Sequence, residues 1–399
     1  MGVIGGGAEA NKTGGEGYGY TEDEWIFKMN LREFCEKEMK PRWKELYDPA
    51  TQDAAYHEFL KKLGDMDVFR VFVPEQLGGI GMRFTTMMLC VEEVSRVCGG
   101  LGIHTMMQGM NVKAMAGIVP ASFKKWGAGI LSGDILCAGA SCSPEGQSNY
   151  AEQACIGTFD EATDEWVLNG VKQYSSGGAM CDLLRIMGMV DGTTYHWYLT
   201  PDTPGLSRTA NVELGCSPSA SWEMRDVRIP KEMGGLCPSV QNRTIVSTGY
   251  DAFAMSVAAM ALGAMSAALD ETIEYLTNRT HDFKPVASIS AVQYKFGVMS
   301  ARVEACRSFV IKATDLCEAG HVDAVKYSRM VKGFVCDTAR DICNECIQMW
   351  GNVGYDSETG IARHLWDAIG LGIGCGTSDL HYREAAYDMG LPGAPRILP

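Results

Sequence analysis

Between Asp251 and Asp270, residues 252 to 269 carry no charge at all. A run of that length settles either in the hydrocarbon of a bilayer or in the middle of a packed helical bundle. Composition decides between the two. Alanine dominates the run, Ser256, Gly263 and Ser266 interrupt its Met and Leu residues, and the dense Leu/Ile/Val content and basic or aromatic flanks that favour lipid are missing. The segment is therefore expected to be a buried helix, with no membrane span, and the rest of the chain must supply helices to cover it.

Helical patterning does surround it. Thr21 can cap Glu22-Asp23-Glu24, with Glu24 placed to complete a capping box, and Trp25, Phe27, Leu31, Phe34 and Met39 recur near helical periodicity. Pro41 predicts a break or kink. Further helices are expected over 53–63, 84–97 and 105–119, with a turn at Val73-Pro74-Glu75-Gln76-Leu77-Gly78-Gly79. From about 134 to 230 the texture changes to short β-prone runs, at 135–138, 153–159, 166–168, 183–190, 195–199 and 222–229, with Asp191-Gly192 as a hairpin signal. Helical periodicity returns over 250–276, 288–319, 322–350 and 379–388, which predicts a bundle of four or more long helices. The expected organisation is mainly α with an inserted antiparallel β-domain: an arm at 1–20, a helical domain at 21–133, the β-domain at 134–240 and the bundle at 241–399.

With 35 Lys+Arg against 49 Asp+Glu in 399 residues, the formal charge of −14 argues against a nucleic-acid partner, because phosphate recognition needs a basic face. Fifteen cysteines lie scattered in apolar segments, as in Leu89-Cys90-Val91, and the glycine-rich start has neither the basic end nor the apolar run of a signal peptide. Reduced thiols in a cytoplasmic protein are the expectation. Cys343 and Cys346 form the one Cys-x-x-Cys, one helical turn apart and without a second pair, so they predict packing and no metal site. There is no Walker A motif, and Gly370-Leu371-Gly372-Ile373-Gly374-Cys375-Gly376 lacks the preceding strand of a dinucleotide fingerprint. His104, His281, His321, His364 and His381 stand alone and read as surface or capping residues. The helix–β–helix order with glycine-rich junctions predicts a ligand held between domains.

Several separate motifs point further. They are the Pro-Glu-x-x-Gly-Gly turn at 74–79, the strand and loop from Cys137 to Asn149, and Asn169-Gly170-Val171-Lys172-Gln173-Tyr174-Ser175-Ser176-Gly177-Gly178. Later come Asp202-Thr203-Pro204-Gly205-Leu206, Asp226-Val227-Arg228-Ile229-Pro230, Arg279 followed by Lys284-Pro285, the Gln348-to-Tyr355 loop and Gly376-Thr377-Ser378. In this order they resemble the acyl-CoA dehydrogenase family from Thr21 onward, where the 169–178 segment matches Asn-Gly-x-Lys-x-aromatic-x-Thr-Asn-Gly. The resemblance implies FAD between β-domain and bundle, an acyl-CoA or enoyl-CoA thioester against the flavin, an electron-transfer flavoprotein or other electron carrier as partner, and a homotetramer or a heteromer with a paralogue. It implies cofactor contacts at Cys142, Ser148, Tyr174, Ser176, Arg279, Ser290, Gln348, Gly351 and Thr377, with Arg279 reaching a neighbouring subunit's cofactor. Substrate contacts are implied at Ser148, Asp251 and Gly376.

The departures are specific. Where the family places its catalytic glutamate, before Gly-Thr, this chain has Cys375, and the alternative position for that base on an earlier helix is Phe253. A thiol with an ordinary pKa near 8.5 is a poor base at neutral pH but a usable acid. Ala254 and Trp366 stand where arginines are usual, and Ser290 where glutamine is. Three readings remain open: a flavin-dependent oxidoreductase of the Cα–Cβ bond that uses an atypical base or favours reduction, with Cys375 as its catalytic group; a non-catalytic or half-site subunit of a heteromer; and other chemistry on the same fold. Gly370, Gly372 and Gly374 hint at room for a bulky acyl group.

Overall fold

The computed structural model describes residues 18–145, 154–215, 218–237 and 250–393. Thr21 caps the first helix as its sequence predicts, accepting from the Glu24 amide at 3.2 Å while the Glu24 carboxylate accepts from the Thr21 amide at 2.8 Å. That helix, α1 (Glu22–Phe34), runs into a π-helical turn and then a 3-10 turn around Pro41 before α2 (Trp43–Tyr47). It is followed by α3 (Gln52–Asp65), α4 (Phe84–Ser95), α5 (Gly99–Ile118) and α6 (Pro120–Leu131). Two of these differ from the periodicity reading. α5 starts six residues earlier than expected because Gly99, Gly100 and Gly102 erase the apolar pattern of its first turn. α6 was hidden by its own first residue, since Pro120 occupies the N-terminal turn where proline is tolerated.

The β-domain comprises β1 (Cys137–Ala140), β2 (Ile156–Asp160), β3 (Glu165–Ser175), β4 (Leu183–Val190), β5 (Thr193–Leu199), β6 (Leu206–Ala210), β7 (Ala220–Pro230) and β8 (Gly234–Leu236). They order as β6-β7-β3-β2-β4-β5-β8, with β1 also on β4. The sheet is antiparallel as expected except at β4, which pairs in parallel with β1 and, through one residue pair, with β2. Asp191 and Gly192 both take positive φ and close the β4–β5 hairpin. The motif residue Asn169 pairs with the motif residue Asp226, its amide accepting from and donating to Asp226 across β3 and β7.

The charge-free segment is the core of α7 (Tyr250–Asn278), and 94% of its most apolar stretch is buried inside the protein. After a short hairpin of β9 (Thr280–His281) and β10 (Lys284–Pro285) come α8 (Ser290–Glu318), α9 (Ala324–Trp350), α10 (Ala362–Ile373) and α11 (Ser378–Asp388). Of these five bundle helices three are long and two short. The glycines at 370 and 372, read as a hint of room for an acyl group, lie within α10. Gly263 marks the closest approach of α7 to α4, since a β-carbon there would fall 2.2 Å from the Glu92 carbonyl oxygen.

Beside that contact the core holds charges. Burial alone raises the Glu93 pKa, but Lys28 and Arg32 reverse this and hold it well below the usual carboxylate range, with ion pairs of 2.8 and 2.7 Å. Glu92 pairs with Arg307 at 2.5 Å, tying α4 to α8. Tyr18, at the end of the glycine-rich stretch, donates to Glu304 on α8, and Tyr20 is buried beside it.

Candidate active site

The β-domain holds the first group of candidate residues. At Lys172 the alternation of β3 turns a lysine inward, where its ammonium donates to the Ser141 carbonyl at 3.1 Å and the Ser143 hydroxyl at 3.0 Å. Burial lowers its pKa to about 8. This clamp, and the Gln173 amide donating to the Cys142 carbonyl at 2.9 Å, hold the loop 141–143 against β3. The β3–β7 register shifts between Lys172 and Ser175, and at that bulge Tyr174 takes φ 52 and turns outward, 60% exposed. Ser176 follows it, half-buried. Cys142 is bridged to Gln173, the residue before Tyr174, while Ser148 lies outside the described residues.

The bundle holds the second group of candidate residues. Cys375 sits between α10 and α11 at φ 58, a left-handed conformation that strains a residue with a β-carbon. Three bonds fix it there. Lys332 on α9, fully buried, donates to the Gly372 carbonyl at 3.0 Å and the Gly376 carbonyl at 2.5 Å. His381 on α11 donates from Nε2 to the carbonyl of Cys375 at 2.8 Å. Burial lowers the Lys332 pKa and, with Lys332 nearby, that of His381 to about 3, so His381 is neutral near pH 7. The Lys332 charge and the Cys375 thiol are close enough to interact. Thr377 caps α11 through the Leu380 amide, and beside it opens a recess of about 240 Å³ lined by Asp337, Arg340, Ile369, Gly372, Ile373 and Thr377.

Asp251 begins α7 and accepts from Ser328 at 2.6 Å and from Arg329 at 3.3 Å, both on α9. Arg329 is itself completely buried. Asp367 braces the two helical domains, accepting from Tyr47 at 2.6 Å and the Gly99 amide at 2.9 Å.

Arg279, Ser290, Gln348 and Gly351 are not near Cys375. They cluster at the other end of the bundle, where Arg279 donates to Tyr275 and to the Trp350 carbonyl, each at 2.9 Å, and Trp350 stacks on Tyr275. At about 1.5 Å per residue, α7 separates Asp251 from Arg279 by about 40 Å. Around the second cluster Phe283, Tyr294 and Tyr355 stand 103%, 73% and 90% exposed.

Three histidines correct the sequence reading. His104, His364 and His381 are all buried; His364 meets Glu271 at 3.2 Å, and of these five histidines His281 and His321 are on the surface. Lys172, Arg329, Lys332 and His381 were not singled out as site residues, although a lysine inside the apolar run 331–335 was a visible signal. Among the described residues no cluster of His, Cys, Asp or Glu could hold a metal, and Cys343 and Cys346 are buried in α9.

Comparison with known proteins follows the same outline. Residues 21–122 match the model of the acyl-CoA dehydrogenase N-terminal domain and residues 244–389 that of the C-terminal domain, together well over half of the chain. The mitochondrial short-chain specific acyl-CoA dehydrogenase of Bos taurus is 27% identical over 375 residues, covering 90% of this chain and 88% of the relative. The mitochondrial isovaleryl-CoA dehydrogenase of Bos taurus is 26% identical over 384 residues, covering 91% and 87%. A glutaryl-CoA dehydrogenase structure from Mycobacterium smegmatis, in complex with FADH2, shares the fold with a TM-score of 0.85 at 20% identity, covering 94% of this chain and 97% of that one.

Proposed function

The chain belongs to the acyl-CoA dehydrogenase family, FAD-dependent oxidoreductases acting on CH–CH bonds, and from that premise we propose that it works on the Cα–Cβ bond of a CoA thioester with Cys375 as its proton-transfer group. The observation that carries the reading is the fixed, strained placement of Cys375, held by Lys332 and His381 just before Gly376-Thr377, where the sequence resemblance expects the family's base.

The residues present suit FAD. Tyr174 offers an exposed ring on the β-domain edge, Cys142 and Ser176 flank it, and the recess at Thr377 borders the open amides of the α11 N-terminus. FAD, when bound, exchanges the hydride at Cβ. The chain's own residues handle the proton at Cα. The Cys375 thiol donates it, and the thiolate left behind is compensated by the Lys332 ammonium. In the proposed reductive direction, an enoyl thioester gains the hydride at Cβ and a proton at Cα. Cys375 is half-buried and regains its proton from solvent. Asp251, steadied by Ser328 and Arg329, faces the CoA portion, with Gly376 and Ser148 as further thioester contacts.

Arg279, Ser290, Gln348 and Gly351 then serve the cofactor of a neighbouring subunit, which their distance from Cys375 supports, and the assembly is a homotetramer or a heteromer with a paralogue. An electron-transfer flavoprotein or comparable carrier exchanges electrons with it.

The test is an anaerobic visible spectrum of the FAD-reconstituted protein, oxidised and reduced, with a panel of acyl-CoA and enoyl-CoA thioesters. Return of the oxidised flavin band on adding an enoyl-CoA to the reduced protein, lost in Cys375→Ala, is expected. Bleaching by acyl-CoA alone reverses the proposed direction. Failure to take up FAD removes the enzyme reading and leaves a subunit that completes another chain's site.

A further inference from the structure

The strand motif that resembles the family ends in Thr-Asn-Gly, and here it reads Ser176-Gly177-Gly178. Position 177 has therefore lost a side chain. It lies at φ 72, a left-handed conformation that asparagine tolerates, so the backbone alone does not demand glycine. Space does. A β-carbon on Gly177 would fall 2.3 Å from both Cε1 and Nε2 of His104, and 3.2 Å from Leu136.

The place of the missing side chain is thus taken by an imidazole from a different element, α5. His104 is completely buried, and neither of its ring nitrogens has a hydrogen-bond partner among the described residues. Its other close ring is Tyr56, edge-on at 6.3 Å. Two unpartnered nitrogens in a buried ring are expensive for a residue that only fills space, where leucine or phenylalanine serves without that penalty. What the ring touches is the turn from Tyr174 to Gly178, which presents Tyr174 and Ser176. One turn further along α5, Gln108 accepts from the Cys137 amide and donates to the Ile135 carbonyl, so the same helix face also sets β1.

We propose that His104 is a positioning residue that supplies from α5 the side chain lacking at Gly177, and so fixes the turn that carries Tyr174 and Ser176 against the flavin. The role rests on the flavoenzyme reading above. The contact is reciprocal: ring and side chain exclude each other, so moving the side chain from 104 back to 177 should restore the turn.

The test is a double-variant cycle of His104→Ala and Gly177→Asn on the full chain, read by melting temperature without FAD, and by FAD dissociation constant and the visible spectrum of bound flavin. Gly177→Asn alone collides with the ring and lowers the melting temperature. His104→Ala leaves a hole beside the turn, raises the FAD dissociation constant about tenfold and shifts the flavin band. In the double variant both readouts return, the dissociation constant to within about threefold of wild type. A double variant that folds where His104→Ala alone does not supports the proposal equally. Additive losses in the double variant overturn it, as does His104→Ala with wild-type FAD affinity and spectrum. A wild-type chain that binds no FAD overturns the flavoenzyme reading and this role with it, while the melting temperatures of the apo variants separately report whether 104 and 177 share one space.

Discussion

Raising the pH should unfasten one clasp between the N-terminal helices and the β-domain. His57 on α3 meets Asp182 at 3.2 Å and Asp53 at 2.9 Å, and Asp182 also accepts from the Leu136 amide that leads into β1. The Asp182 bond, acting against partial burial, raises the His57 pKa from 6.5 to about 9. At about 1.36 kcal/mol per pH unit, that interval corresponds to about 3.4 kcal/mol before screening. The side chains of His57 and Asp182 are 33% and 45% exposed, so solvent reduces the figure to about 1–2 kcal/mol. Because the folded pKa is the higher one, this stability is fully present below pH 6.5 and is lost as pH rises through 9. Wild type should therefore exceed His57→Gln in stability by about 1–2 kcal/mol at pH 6, roughly 1–4 °C in Tm, and match it by pH 10. Denaturant melts of both proteins at pH 6, 7.5 and 10 measure the gap. The comparison with the variant matters because the buried Lys172, with its pKa lowered to about 8, changes stability in the opposite sense over the same alkaline range. A gap that stays constant from pH 6 to 10 refutes the assignment.

Three further outcomes are expected. Lys332→Met strips two carbonyl oxygens beside Cys375 of their donor; turnover should fall at least about tenfold while FAD remains bound, and stopped-flow reoxidation by enoyl-CoA that matches wild type removes Lys332 from the site. Gly263→Ala forces α4 and α7 apart and should lower unfolding free energy by about 2–3 kcal/mol in urea, whereas an unchanged midpoint contradicts the close contact with Glu92. The folded pKa of His381, about 3, is depressed below 6.5, so the unfolded chain takes up the extra proton and stability falls as pH drops from 6.5 toward 3. His381→Gln should flatten that acid limb in melts between pH 4 and 7, and an equally steep limb rejects the buried neutral imidazole.

Much of the site was legible because its parts are local. The bulge that exposes Tyr174 lies inside the Asn-Gly-x-Lys motif, and Cys375 announced itself by standing where a glutamate is usual before Gly376-Thr377. The groups that hold these residues were not legible. Lys332 reaches Cys375's neighbours across 40 and 44 positions, Arg329 reaches Asp251 across 78, and His104 reaches Gly177 across 73. Such partners leave no spacing in the chain.

The division follows the range of the forces involved. Periodicity, capping and turn chemistry act over a few residues, so the sequence alone determined the buried character of α7, the Thr21 capping box, the Asp191-Gly192 hairpin and the helix–β–helix order. Glycine defeated that reading at α5 and α10, because a helix held by tertiary contacts does not need a local apolar stripe. Only the tertiary structure decided that Asp251 and Arg279 lie about 40 Å apart at opposite ends of α7, that Arg329 from another helix pairs with Asp251, and that the His104 ring occupies the space beside Gly177. Burial creates those obligations: a carboxylate or a void enclosed in the core must be matched by whatever element packs against it, wherever that element lies in the chain.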